Sequence, residues 1–181
     1  LTLAITNYDS SPMAQTAEHH LELLAGEEQS IAATKTYTAQ LTVLAMLVAH
    51  LVEGDTLRDE LKLLPSAMDK TLTMSQPIAD WAQRYRYMQQ FAVIGRGFNF
   101  STAFEISLKV KELTYISSEG YSEADFRHGP IAIVQSGFPI MLVAPRGAMF
   151  ASMVDLLKKL NEKSAECLVI SNDEQLASSA Q

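Results

Sequence analysis

"FAVIGRGFNFSTAFEISLKVKEL", Phe91 to Leu113, decides the fold. Phe91–Gly95 is a short apolar run rich in strand-favouring residues. "GRG" interrupts it, and from about Ser101 apolar residues return at helical spacing, with Ala103, Ile106, Val110 and Leu113 on the expected core face. Strand, glycine turn and helix form the repeating unit of an α/β protein. The same alternation continues downstream. "FPIMLVAP" (Phe138–Pro145) reads as a strand, Met149–Lys163 as an amphipathic helix and "ECLVIS" (Glu166–Ser171) as another strand. Continuous Val/Ile/Leu strands between helices specify a parallel sheet covered on both faces.

Upstream, Leu3–Thr6 reads as a buried strand, and Ser11 with Pro12 opens a helical turn. A brief strand is expected around Glu22–Leu24. A helix is expected from Thr34, as its cap, to Glu53, with Gly54 ending it. Its middle, "LTVLAMLVAHLV" (Leu41–Val52), is apolar on nearly every side, so burial between domains or subunits is expected. Asp55–Gln90 reads as a connector of two or three helices broken near Pro65 and Pro77. The division expected is therefore 1–54, 55–90 and 91–181, with a partial lobe at each end. Both ends look cut through a repeating α/β unit, so the chain reads as a fragment.

The composition narrows the function. A net charge of −7 over 181 residues provides no basic field to replace phosphate counterions, so a general nucleic-acid binder is not expected. A single cysteine, Cys167, precludes an internal disulfide. It lies in the apolar "AECLVIS" and reads as an inert buried thiol. Leu41–Val52 is too short to span a bilayer, and no cleavable leader opens the chain, so a cytoplasmic protein is the default. The histidines and carboxylates lack metal-ligand spacing, and neither a metal nor a cofactor is expected.

Three features could carry chemistry. The "GRG" turn partly matches a dinucleotide loop, but Phe100 stands where a small third residue is needed, so a plain strand-to-helix turn is the commoner reading. The alternative is a ligand facing the N–H groups near Ser101 and Thr102. On the following helix, Glu105, Lys109 and Glu112 share one stripe. Such stripes are more often solvated faces. The alternative is a carboxylate that moves a proton next to a carbonyl, beside a cation that steadies the enediolate oxygen. Then "RHGP" sets His128 on a restricted loop. A histidine there is more often structural or superficial than reactive.

Taken together, "AATKTYTAQLTVLAMLVAHL", "GRGFNFSTAFEISLKVKELTYISSEGYSEADFRHGP" and "FPIMLVAP" resemble the SIS (sugar isomerase) domain family. The likeness is to the isomerase half of glutamine–fructose-6-phosphate aminotransferases and to glutaminase-less relatives such as type II glucosamine-6-phosphate deaminases. The resemblance implies three-layer, flavodoxin-like lobes and a homodimer acting on a phosphorylated hexose or hexosamine. It gives Glu112 the role of proton shuttle between C1 and C2, Lys109 that of the lysine beside it, and His128 that of the ring opener, reaching the other subunit's site. Ile31, Ala33 and Thr34 fall on the loop that touches the sugar. Ala33 departs from the serine usual in the synthases. The phosphate-gripping loop and the imine-forming lysine of the family fall outside residues 1–181, so the chain alone is expected to be inactive. Plain phosphosugar isomerases and non-catalytic phosphosugar sensors remain alternatives.

Overall fold

The computed structural model describes residues 1–179. The last two residues of the expected 91–181 region lie outside the described residues. The chain forms two compact units, residues 1–83 and a second beginning at Arg84.

In the first unit, strands β1 (Leu3–Thr6) and β2 (His19–Glu22) pair in parallel, Leu3 opposite His19 and Thr6 opposite Glu22. They are joined through α1 (Pro12–Thr16), capped by Ser11 as its sequence predicts. The second strand lies earlier than the expected Glu22–Leu24. Pairing with β1 fixes its register, and Leu24 turns the chain away with a φ of 53°.

Helix α2 spans Lys35–Leu51 and stops before Gly54, which instead shapes the turn to α3 (Thr56–Leu72) with a φ of +97°. The expected burial of α2 is not met within this chain. Ala49 is its buried residue, whereas Leu41, Leu44, Met46, Val48 and Leu51 are exposed. Helix α3 continues through Pro65, which lacks one backbone donor yet does not end it. The break falls at Thr73, where the hydroxyl donates to Lys70 O. Pro77 lies in the first turn of α4 (Ser75–Ala82), where a missing N–H has no intrahelical partner to lose.

The second unit has four parallel strands: β3 (Gln90–Gly95), β4 (Ser117–Ser122), β5 (Pro139–Val143) and β6 (Glu166–Ile170), in the order β4-β3-β5-β6. Counted within the unit this is second-first-third-fourth, the beginning of the flavodoxin-like doubly wound order. Alternation along the strands divides the core in two. Ala92, Ile94, Ile140, Leu142 and Cys167 face one side, packed against Phe126, Met153, Leu156, Leu157 and Leu160. Phe91, Val93, Val143 and Leu168 face the other, against Ala103, Ile106 and Val110. Helix α5 (Asn99–Thr114) thus covers one face, while α6 (Glu123–Arg127), α7 (Phe150–Glu162) and α8 (Glu174–Ser178) cover the other. This is the expected three-layer α/β arrangement.

Two glycines let α5 lie close to the sheet. A Cβ on Gly95 would fall 2.0 Å from Asn99 O, so the strand can enter the helix only through glycine. A Cβ on Gly120 of β4 would fall 2.7 Å from Phe104 Cα. Beside it, buried Ser118 donates to Ser107 Oγ at 3.2 Å. The face of α5 toward the sheet therefore runs through small residues, Ala103 and Ser107. Leu113, placed on the core face from the sequence, is 59% exposed, because it lies about 80° round the helix from Ala103.

Candidate functional site

Helix α5 begins two residues before the expected Ser101. The N–H groups of Asn99 and Phe100 donate back to Arg96 O and Gly97 O, and the Ser101 hydroxyl donates to Phe98 O. The first turn is thus closed on its own carbonyls.

The charged stripe does form. Lys109 Nζ lies 2.7 Å from Glu112 Oε2 and 3.6 Å from Glu105 Oε1. Side-chain exposures are 20% for Lys109 and Glu105 and 35% for Glu112, so the carboxylate of Glu112 is the most open of the three. The hydrogen bond to Glu112 raises the Lys109 pKa, the negative field of both carboxylates adds to it, and the ammonium stays charged. At 100° per residue, Glu112 lies about opposite Ala103, so the stripe points away from the sheet.

His128 is exposed and sits one residue past α6, where its N–H donates to Asp125 O at 3.1 Å. A helix of five residues cannot hold itself in place. Three anchors do so. Ser122 caps it, accepting from Asp125 N–H and donating to Asp125 Oδ2 at 2.7 Å. Phe126 is fully buried against Tyr121, with ring centroids 5.3 Å apart, and such burial contributes roughly 1.5–3 kcal/mol.

The third anchor was not apparent in the sequence. The Glu123 carboxylate, 1% exposed, accepts from Arg96 of the glycine turn and from Arg127 Nε. Arg127 also donates to Asp155 Oδ2 at 2.9 Å and to Ser152 O at 2.8 Å, both on α7. Burial works against a charge on Glu123, but the two guanidinium groups outweigh it and hold its pKa below the usual carboxylate range.

Glu112 and His128 are not brought together in the second unit. α5 and α6 pack on opposite faces of the sheet. Helix α5 runs back from the carboxyl edge of β3, spanning about 24 Å over its 16 residues, so Glu112 in its last turn lies toward the amino edge. His128 instead follows the carboxyl edge of β4.

In the first unit, Ile31 is fully exposed, Ala33 is half-buried and Ala32 between them is buried. Thr34 occupies the capping position of α2, but its side chain makes no capping bond. Glu28 does that work. Its Oε1 accepts from Thr34 N–H at 3.2 Å, Thr36 N–H at 2.9 Å and the Thr36 hydroxyl at 2.7 Å, and Lys35 Nζ lies 3.3 Å from Oε2. The Thr36 bonds lead in lowering the Glu28 pKa to about 2. A carboxylate six residues before the cap residue is not a standard capping spacing, so no sequence pattern marks it.

Among the described residues, no helix is long and apolar enough to cross a membrane.

Comparison with known proteins agrees with this architecture. The SIS domain matches residues 1–50 and 88–181. A glutamine–fructose-6-phosphate aminotransferase (isomerizing) of Methanothermobacter thermautotrophicus is 36% identical over 181 residues, covering 99% of this chain and 30% of the relative. The enzyme of the same name from Thermococcus kodakarensis is 34% identical over 184 residues, covering 97% and 31%. The chain thus spans under a third of the length of these relatives. Among solved structures, the C-terminal domain of glucosamine-fructose-6-phosphate aminotransferase from Francisella tularensis superposes with a TM-score of 0.86 at 24% identity, over 99% of this chain and 52% of that one. Two parallel α/β units, a match over both and relatives along the whole length lead to one assignment: the chain belongs to the SIS domain family.

Proposed function

We propose that this chain supplies part of an isomerase-type site for hexose 6-phosphates, fructose 6-phosphate or glucosamine 6-phosphate. The reaction is ketose–aldose isomerisation coupled to gain or loss of an amino group at C2. The observation that carries the reading is the Lys109–Glu112 pair, a carboxylate held 2.7 Å from an ammonium on the outer side of a helix. In an open-chain sugar phosphate, the carbonyl acidifies the hydrogen on the neighbouring carbon. Glu112 takes that proton from one carbon and returns it to the other. The electron pair passes through an enediolate, whose oxygen the charged Lys109 stabilises. His128 opens the sugar ring by proton transfer at the ring oxygen, and Ile31, Ala33 and Thr34 line the sugar.

The reading includes a homodimer in the cytoplasm. Glu112 and His128 lie on opposite faces of one sheet, so serving one sugar takes His128 from a second copy. The exposed Leu41, Leu44, Met46 and Val48 of α2 support such an association.

The test is solvent-deuterium exchange at C1 of fructose 6-phosphate or C2 of glucosamine 6-phosphate, catalysed by the full-length protein. Glu112→Gln is expected to slow it by about two to four orders of magnitude, with binding of the sugar phosphate retained. Exchange near the unmodified rate would remove Glu112 from its role. Binding without exchange in the unmodified protein would make the domain a sensor. Sedimentation as a monomer at micromolar concentration would refute the shared site.

A further inference from the structure

The structure assigns a second task to the buried carboxylate behind His128. We propose that Glu123, clamped between Arg96 and Arg127, is the positioning residue that sets the imidazole of His128 for its reaction. This deepens the proposed function and rests on it for the identity of the reaction, but the geometry is independent of it.

The segments after β3 and β4 meet at this one carboxylate, and Arg127 ties a third, after β5, to them, all at the carboxyl edge of the parallel sheet, where ligands of such folds bind. Arg96 belongs to the turn after β3. Glu123 opens the segment after β4, and Arg127 closes it one residue before His128. Ser152 and Asp155 belong to the helix after β5, and each receives a bond from Arg127. Every nitrogen of the Arg127 guanidinium is thereby engaged: Nε with Glu123, Nη1 with Asp155 and Nη2 with Ser152 O. A planar fork fixed at three points leaves its own backbone little freedom, and His128 is the next residue.

The exposures run the same way. Glu123 is 1% exposed and the Arg127 side chain 20%, while His128 is open to solvent. A clamped side chain one residue before an exposed histidine is the arrangement expected of a positioned group. Beyond anchoring the short helix together with the cap and Phe126, the clamp fixes the residue next to His128 at three points. Glutamine at position 123 would keep the volume, yet its amide N–H₂ would face one of the two guanidinium groups, and no charge would remain to hold them.

The test uses the full-length protein and two substrates. One is fructose 6-phosphate, which cyclises. The other is its 5-deoxy analogue, which lacks the hydroxyl needed to close the ring and so has no need of ring opening. In Glu123→Gln, kcat on fructose 6-phosphate is expected to fall about a hundredfold, the scale of a catalytic group displaced by an ångström. KM and turnover of the acyclic analogue should stay within a factor of about three, well short of that displacement effect. Arg96→Lys, which keeps a cation beside Glu123 but loses the fork, should show the same split to a smaller degree. It carries the test alone if Glu123→Gln does not fold. Equal losses on both substrates, or no loss on either, would overturn the proposal.

If the unmodified protein acts on neither substrate, the phosphosugar reading fails and the clamp is decided by NMR. The imidazole carbon–proton signal of His128, identified by its disappearance in His128→Gln, should move or broaden in Glu123→Gln or Arg96→Lys. An unchanged signal in a folded variant would overturn the positioning role.

Discussion

Gly120→Ala tests the packing that places Glu105, Lys109 and Glu112. The added methyl group would stand 2.7 Å from Phe104 Cα and 3.1 Å from both Ala103 O and Phe104 N. These are backbone atoms of α5, so no side chain can swing aside. Ordinary contact begins near 3.4 Å, so the helix must withdraw by about 0.7 Å from β4. Overpacking of this kind costs about 1–3 kcal/mol. Gly120 has no left-handed φ, so alanine suits its backbone and recovers about 0.4–1 kcal/mol by stiffening the unfolded chain. The net expectation is a loss of about 1–2 kcal/mol, or five- to thirtyfold in the folded ratio. Urea denaturation of the full-length protein followed by circular dichroism measures the loss, and hydrogen exchange of the α5 and β4 amides should localise it. The Ser118–Ser107 bond should loosen with it. A midpoint that is unchanged or raised would mean that the helix is not seated against β4 as closely as described, and the placement of the charged stripe would fall with it.

Two further expectations concern single groups. Glu28, with a pKa of about 2 in the fold against an ordinary 4.5, organises the start of α2 fully above pH 4.5 and lets go as pH falls toward 2. The Thr36 amide resonance should therefore titrate with a midpoint near the lower value, and a midpoint near 4.5 would show that the bonds from Thr36 are not made. Cys167, 2% exposed and with its thiol pushed by burial to about 11, should react with an aromatic disulfide reagent only as fast as the protein unfolds, and immediate labelling of the native protein would contradict its burial.

The strands with apolar runs were legible because both of their faces are buried. In β3, β5 and β6 consecutive residues serve two different cores, and continuous Val, Ile and Leu is what such a strand requires. β4 carries "SSEGYS" and gave no strand signal. Its composition answers to a different demand. Ser118 and Gly120 are small because α5 lies directly on them, and β4 pairs with β3 while ending the sheet on its other side. The same close approach explains the misplaced Leu113, since the face of α5 that seats on β4 is marked by small residues and not by large apolar ones. Helix α2 presents the converse case. Its apolar surface was read from sequence as burial, yet Ala49 is its buried residue, Tyr37, Val43 and Leu47 are half-buried, and Leu41, Leu44, Met46, Val48 and Leu51 are exposed.

At the site, local spacing and long-range contact were not equally legible. Lys109 and Glu112 are three residues apart on one helix, and periodicity alone brings them together. Arg96 and Glu123 are 27 residues apart and meet only because β3 and β4 are parallel neighbours in register, Gly95 opposite Ser122, so that the loops leaving them emerge side by side. Arg127 reaches α7 for the same reason, through the next strand in the order. A glutamate in "SEADFRHGP" therefore reads as one more surface charge until the strand order is known. Once it is known, burying a carboxylate there requires two cations within bonding distance, because an unpaired charge at 1% exposure would be expelled or neutralised. Among the groups facing Glu123, the turn after β3 and the residue before His128 supply those cations, which ties the glycine turn to the histidine through a single side chain.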